Sequence, residues 1–223
     1  MTVPESPMSI PVPDELLGAA AALSRPDALD FISGARRPGG GRPAAVLILL
    51  CPGTKGLDLV LVEKRPDLRH HAGQLAFPGG GIEPDDVDAV QAALREAEEE
   101  VGVPPEEVTV LGILPSAHIR RSGFDVTPVV GWWHYPRGLQ VVDVGELADV
   151  HTVPVAALLD PANRDTWQLR GGFNGPGFWI GELYVWGFTA YLLDGLFTLL
   201  GWTRVWDRDR FSEVPARFRS ERL

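Results

Sequence analysis

Three glutamates close together on one short stretch could do chemistry. Residues 91–102 read QAALREAEEEVG, and at 100° per residue Glu96, Glu99 and Glu100 fall within an arc of roughly 100° on one side of a helix. Carboxylates that close repel one another, and acids are disfavoured near a helix C-terminus, where the dipole is negative. A hard divalent cation removes the conflict, because Mg²⁺ takes oxygen ligands from one or two carboxylates, water and substrate phosphates. The repulsion also predicts that Gln at 99 or 100 leaves the metal-free fold at least as stable. The competing bland reading is a solvated charged face, with Arg95 as an i,i+4 partner of Glu99.

The elements that must position these acids are legible around them. Val90, Leu94, Ala97 and Val101 share another side of the same helix and form its packing face. The helix is expected over Asp86–Val101, capped by Asp85 or Asp86, with Gly102 in the left-handed position after its end. Phe77-Pro78-Gly79-Gly80-Gly81 precedes it and reads as a turn at Pro78–Gly81, where backbone can come close to a metal or phosphate.

From Gly80 the segment GGIEPDDVDAVQAALREAEEEVGV resembles the Nudix box. Its diagnostic half, Arg-Glu, a small residue, any residue, Glu-Glu, any residue, Gly and an aliphatic, matches Arg95 to Val103 throughout. One departure stands in the first half. The box acid eight residues before the arginine is Val87 here, and Asp86 lies one residue earlier, so Asp86 is a weak candidate for the fifth acid. The preceding stretch, LVEKRPDLRHHAGQLAFPGG at 61–80, is similar to the coenzyme A pyrophosphatase branch of the family, as are SGFDVTP at 122–128 and WGFTA at 186–190.

The resemblance implies a Nudix-type α/β/α sandwich with a central mixed β-sheet, and a divalent-metal-dependent pyrophosphohydrolase using Mg²⁺ or Mn²⁺. It implies that Glu96, Glu99 and Glu100 hold the metal, that Glu96 polarises or deprotonates the water, that Gly80 lends a carbonyl and that Arg95 orients Glu99. Arg65, Arg69, His71 and Gln74 would meet the substrate, with the two arginines read equally well as surface charge and His71 as a packed loop residue. Glu146 is a weak candidate for an extra loop acid. The substrate implied is coenzyme A or an acyl-CoA, cut to a 4′-phosphopantetheine species and 3′,5′-ADP. ADP-ribose, NADH and nucleoside triphosphates are the alternatives within the family. A non-catalytic nucleotide-binding module is the alternative outside it, disfavoured because all three glutamates are kept.

The remaining sequence bounds this reading. The 223 residues carry a formal charge of −10, which gives no footprint for long nucleic acid. The partner expected is a small molecule such as a nucleoside diphosphate derivative, with a homodimer left open. No signal of secretory type is visible, and the apolar stretch Leu183–Trp202 is broken by Asp194 and glycines, so a buried helix, no membrane span and a cytoplasmic location are expected. Cys51 follows an apolar run and reads as a buried residue, and His118, His134 and His151 as structural ones.

Strands are expected at Ala44–Leu50, Asp58–Glu63, Leu75–Phe77, Val108–Leu114 and Phe124–Trp133. A short helix is expected from Asp14 to Leu23, a helical turn at Val155–Leu159 and a helix at Gly187–Leu200. The organisation expected is an arm, short helix and linker over 1–41, the catalytic domain over 42–202 and an Arg-rich tail over 203–223.

Overall fold

The computed structural model describes residues 9–32, 37–68, 71–119, 122–169 and 171–219. In chain order its helices are α1 (Ala19–Leu23), α2 (Ala89–Val101), α3 (Val155–Leu158) and α4 (Gly187–Leu199). Its first strands are β1 (Arg42–Gly53), β2 (Gly56–Lys64), β3 (Leu75–Ala76) and β4 (Gly79–Gly81). They are followed by β5 (Val108–Ile113), β6 (Ala117–Ile119), β7 (Phe124–Trp133) and β8 (Leu147–Pro154). The last four are β9 (Arg164–Gln168), β10 (Asn174–Ile180), β11 (Leu183–Val185) and β12 (Phe211–Glu213).

An eight-stranded mixed sheet runs β3-β2-β1-β7-β5, with β4 on β1, β6 on β7 and β8 on β2. The β1–β7 pair is parallel and the other pairs are antiparallel. Strand alternation splits its side chains between two cores. Ile48, Leu50, Leu59 and Leu61 face one layer, built with α4 (Leu192, Leu193, Leu196) and α1 (Ala19, Leu23). Leu47, Leu49, Val60 and Val62 face the other, covered by Ala92, Ala93, Ala97 and Val101 of α2. Helices on both faces of a mixed sheet make the α/β/α sandwich that the sequence implied.

Helix α2 starts later than expected. Asp88, not Asp85 or Asp86, is its N-cap, and the Asp88 carboxylate accepts the Gln91 N–H at 2.9 Å. Its other end is as expected, with Gly102 at φ 72° and its N–H donating to the Glu98 carbonyl. The packing face is centred on alanines. Ala97 and Val101 are buried, while Val90 and Leu94 pack at its margin. Small side chains let the helix lie close to the sheet.

The Pro78–Gly81 segment is not a free turn. Gly79–Gly81 forms β4, paired with Ala44–Val46 of β1. A Cβ on Gly79 would collide with the Ala45 carbonyl, so only glycine permits this pairing.

The residues beyond the large sheet fold more than the sequence suggested. Strands β9–β12 form a second sheet in the order β11-β10-β9-β12. Its centre is Asp165, buried and accepting from Tyr184 Oη (2.7 Å), Trp179 Nε1 (2.8 Å) and Ser212 Oγ (2.6 Å). Asp194 pairs with the buried Arg164 at 2.5 Å, which explains an acid inside the apolar helix α4. Residues of the expected tail dock through β12, Val214 and Phe218, and the chain between the expected arm and linker buries Leu16, Ala28 and Ile32. Short helix α1 is one turn long, and Asp14 begins a separate 3₁₀ turn without capping it. Among the described residues no helix is long and apolar enough to cross a membrane.

Candidate active site

The site forms where the C-terminal half of α2 crosses β4 and the end of β2. Glu100 is the most buried of the three acids, with a side chain 5% exposed. Its Oε1 accepts from Lys64 Nζ at 2.8 Å and its Oε2 from the Gly79 N–H at 3.0 Å. Burial pushes its carboxyl pKa up, against the pull of Lys64 and the Gly79 amide. Glu96 lies over Gly80, where a Cβ would come within 2.5 Å of the carboxylate. Burial raises its pKa as well, opposed by Arg95 and reinforced by Glu100 and Glu99. The Glu99 carboxylate is exposed and accepts from Arg95 Nη1 at 3.0 Å.

Arg95 organises the outer side. Its Nη1 also reaches Glu96 at 3.1 Å, its Nη2 donates to the Gly81 carbonyl at 3.1 Å, and its Nε and Nη2 hold Asp86 at 3.1 and 3.0 Å. A planar fork with five N–H groups can serve four partners at once. Asp86 is therefore the anchor of this arginine, held also by the Glu83 N–H at 2.8 Å. The Arg95 contact, then that amide, keep its carboxyl below the usual range.

Lys64 is the residue that sequence reasoning missed. It links Glu100 to Glu146, whose carboxylate lies 3.1 Å from Nζ. Burial works against its ammonium, but the two acids outweigh it and hold its pKa above the ordinary lysine value. The available signal was strand parity, since Lys64 continues the Val60, Val62 series that faces α2. The loop acid Glu146 is thus brought to the helix.

The substrate candidates are placed differently. Arg65 is 41% exposed and is already paired with Asp67 (2.7 and 2.9 Å) and with the Val144 carbonyl at 3.0 Å. His71 adopts φ 58°, and its Nδ1 meets the Gln74 Oε1 at 2.7 Å, so these two hold each other across a tight loop. Arg69 lies outside the described residues. Cys51 is buried and its thiol is pushed up to about 12 by burial, which excludes a thiolate nucleophile at neutral pH. His118, His134 and His151 are held by Asp125, by Thr109 and the Ile10 carbonyl, and by Glu63.

The donor set suits a hard cation, with three carboxylates and the backbone of Gly80 kept open by the lack of a side chain. Among the described residues no three acids, imidazoles or thiols converge into a closed cluster. Lys64 holds Glu100, while Arg95 holds Glu96 and Glu99.

Comparison with known proteins shows the family. The model of the NUDIX domain family matches residues 41–170. The chain belongs to that family. It is 38% identical over 168 residues to the uncharacterized Nudix hydrolase NudL of Klebsiella pneumoniae, covering 72% of this chain and 83% of the relative. It is 37% identical over 164 residues to NudL of Citrobacter koseri, with the same coverage. Among solved structures, a MutT/nudix family protein from Enterococcus faecalis matches with TM-score 0.50 at 16% identity, over 83% of this chain and 72% of that one. The Nudix assignment makes the chain a pyrophosphohydrolase of a family that generally needs divalent metal ions. Helix α2 lies inside the matched region, and the second sheet lies largely beyond it.

Proposed function

We propose that this Nudix hydrolase cleaves the P–O–P bond of coenzyme A or an acyl-CoA, yielding a 4′-phosphopantetheine species and 3′,5′-ADP. One observation carries the substrate. The stretch 61–80 that resembles the coenzyme A branch forms the end of β2, the loop with Arg65, His71 and Gln74, and the β4 strand under Glu96.

Glu96, Glu99 and Glu100, with the Gly80 backbone, would hold Mg²⁺ or Mn²⁺. When bound, the cation neutralises phosphate charge and lowers the pKa of water. Glu96 accepts the proton of the attacking water. Arg95 fixes Glu96 and Glu99 relative to β4 and Asp86. Glu146 is a loop acid available to the same centre. Arg65 meets the substrate's extra 3′-phosphate by exchanging its Asp67 contact for a phosphate one.

The test is kcat/KM for coenzyme A against 3′-dephospho-coenzyme A, in the parent and in Arg65→Gln. Coenzyme A should be preferred, and the substitution should reduce that preference by roughly tenfold or more, since a charge-assisted contact is worth about 1.5–3 kcal/mol. Equal loss on both substrates would strip Arg65 of the role. ADP-ribose turned over far better than either would move the protein to another Nudix substrate class.

A further inference from the structure

Lys64 is an unusual neighbour for a metal-binding glutamate. Val60 and Val62 send their side chains into the apolar layer beneath α2, and Lys64 follows them at the strand end, where pairing with β8 shifts register. Its side chain is largely buried, 15% exposed. Its ion-pair partners among the described residues are Glu100 and Glu146. Both Glu100 oxygens are engaged, one by this lysine and one by the Gly79 amide. Glu146 belongs to the loop before β8, and its carbonyl accepts the Arg65 N–H at 2.9 Å. One ammonium therefore ties together β2, the Nudix helix and the loop acid.

We propose that Lys64 is a positioning residue that competes with the divalent cation for Glu100 and holds Glu146 against the helix. A fixed positive charge at hydrogen-bond distance from a ligand oxygen opposes a second cation on the same carboxylate. Affinity for the metal is thus set below what the glutamates alone would give. The proposal rests on the metal role of the box glutamates given above, but not on the identity of the substrate.

The experiment is direct Mn²⁺ binding without substrate, read as the loss of the free-ion electron paramagnetic resonance signal, for the parent, Lys64→Gln and Lys64→Arg. Lys64→Gln should bind Mn²⁺ at least tenfold more tightly, and its Mn²⁺-induced rise in Tm should exceed the parent's. Lys64→Arg, which keeps the charge, should stay near the parent. If circular dichroism shows Lys64→Gln unfolded, Lys64→Met keeps the apolar stem and carries the same expectation. Binding that is unchanged or weaker without the charge overturns the inference alone. A parent that binds no Mn²⁺ overturns the metal reading with it.

Discussion

Glu100→Gln separates a catalytic acid from a structural one, because the structure predicts opposite effects on activity and on stability. Without metal, the Glu100 carboxylate is buried with one lysine and one amide for compensation. Burial outweighs both, so its folded pKa stands above the unfolded value, near 4.3. The sign follows from linkage. A raised carboxyl stabilises the fold while protonated, and that stability is lost as pH rises through the folded pKa. At pH 7 the charge is a net burden. Glutamine removes it and keeps an oxygen for the Gly79 N–H, while Lys64 retains Glu146. In EDTA at pH 7, urea unfolding should therefore find Glu100→Gln at least as stable as the parent. The difference should narrow towards pH 4, where the parent carboxyl protonates. Turnover with Mg²⁺ should fall about 10²-fold or more, the loss expected when a main electrostatic stabiliser goes. A variant clearly less stable in EDTA, or a gap that widens with acid, would refute the reasoning.

Other expectations follow from the same geometry. Glu99→Gln should also lose about 10²-fold in kcat, with stability within about 0.5 kcal/mol of the parent, because its carboxylate is exposed; unchanged kcat would remove Glu99 from the site. Gly80→Ala places a methyl against the Glu96 carboxylate, a flexible end that can move aside, so kcat should drop roughly tenfold while urea unfolding stays near the parent. Arg95→Lys cannot span Asp86, Gly81, Glu96 and Glu99 from one nitrogen, and should reduce kcat about tenfold or more; full activity would show that the fork is dispensable. Iodoacetamide at pH 7.5 (an alkylating probe for thiolates) should leave activity intact, given the buried Cys51 thiol; rapid inactivation would contradict its placement.

Much of the site was legible because the box writes it locally. Glu96, Glu99, Glu100, Arg95 and Gly102 sit on one helix, where spacing alone fixes faces, and β1, β2 and β7 announced themselves as apolar runs. What was not legible depends on distant partners. Asp86 looked like a helix cap, but Arg95 captures it nine residues on, and Asp88 takes the cap. Gly79–Gly81 looked like a turn because β1, some thirty residues earlier, supplies its pairing. Lys64 acquired meaning only through Glu100 and Glu146. The second sheet was hidden because short, glycine- and aromatic-rich strands show no clear alternation. Its buried Asp165 is satisfied by Tyr184, Trp179 and Ser212, which no local pattern connects.

The most direct test of the account is product analysis of coenzyme A hydrolysis with Mg²⁺, and again in excess EDTA. The account predicts 4′-phosphopantetheine and 3′,5′-ADP in equal amounts with the metal, no products after chelation, and recovery when Mg²⁺ or Mn²⁺ is restored. Cleavage that persists in EDTA would contradict the role of Glu96, Glu99 and Glu100, and coenzyme A left intact while ADP-ribose is consumed would contradict the proposed substrate.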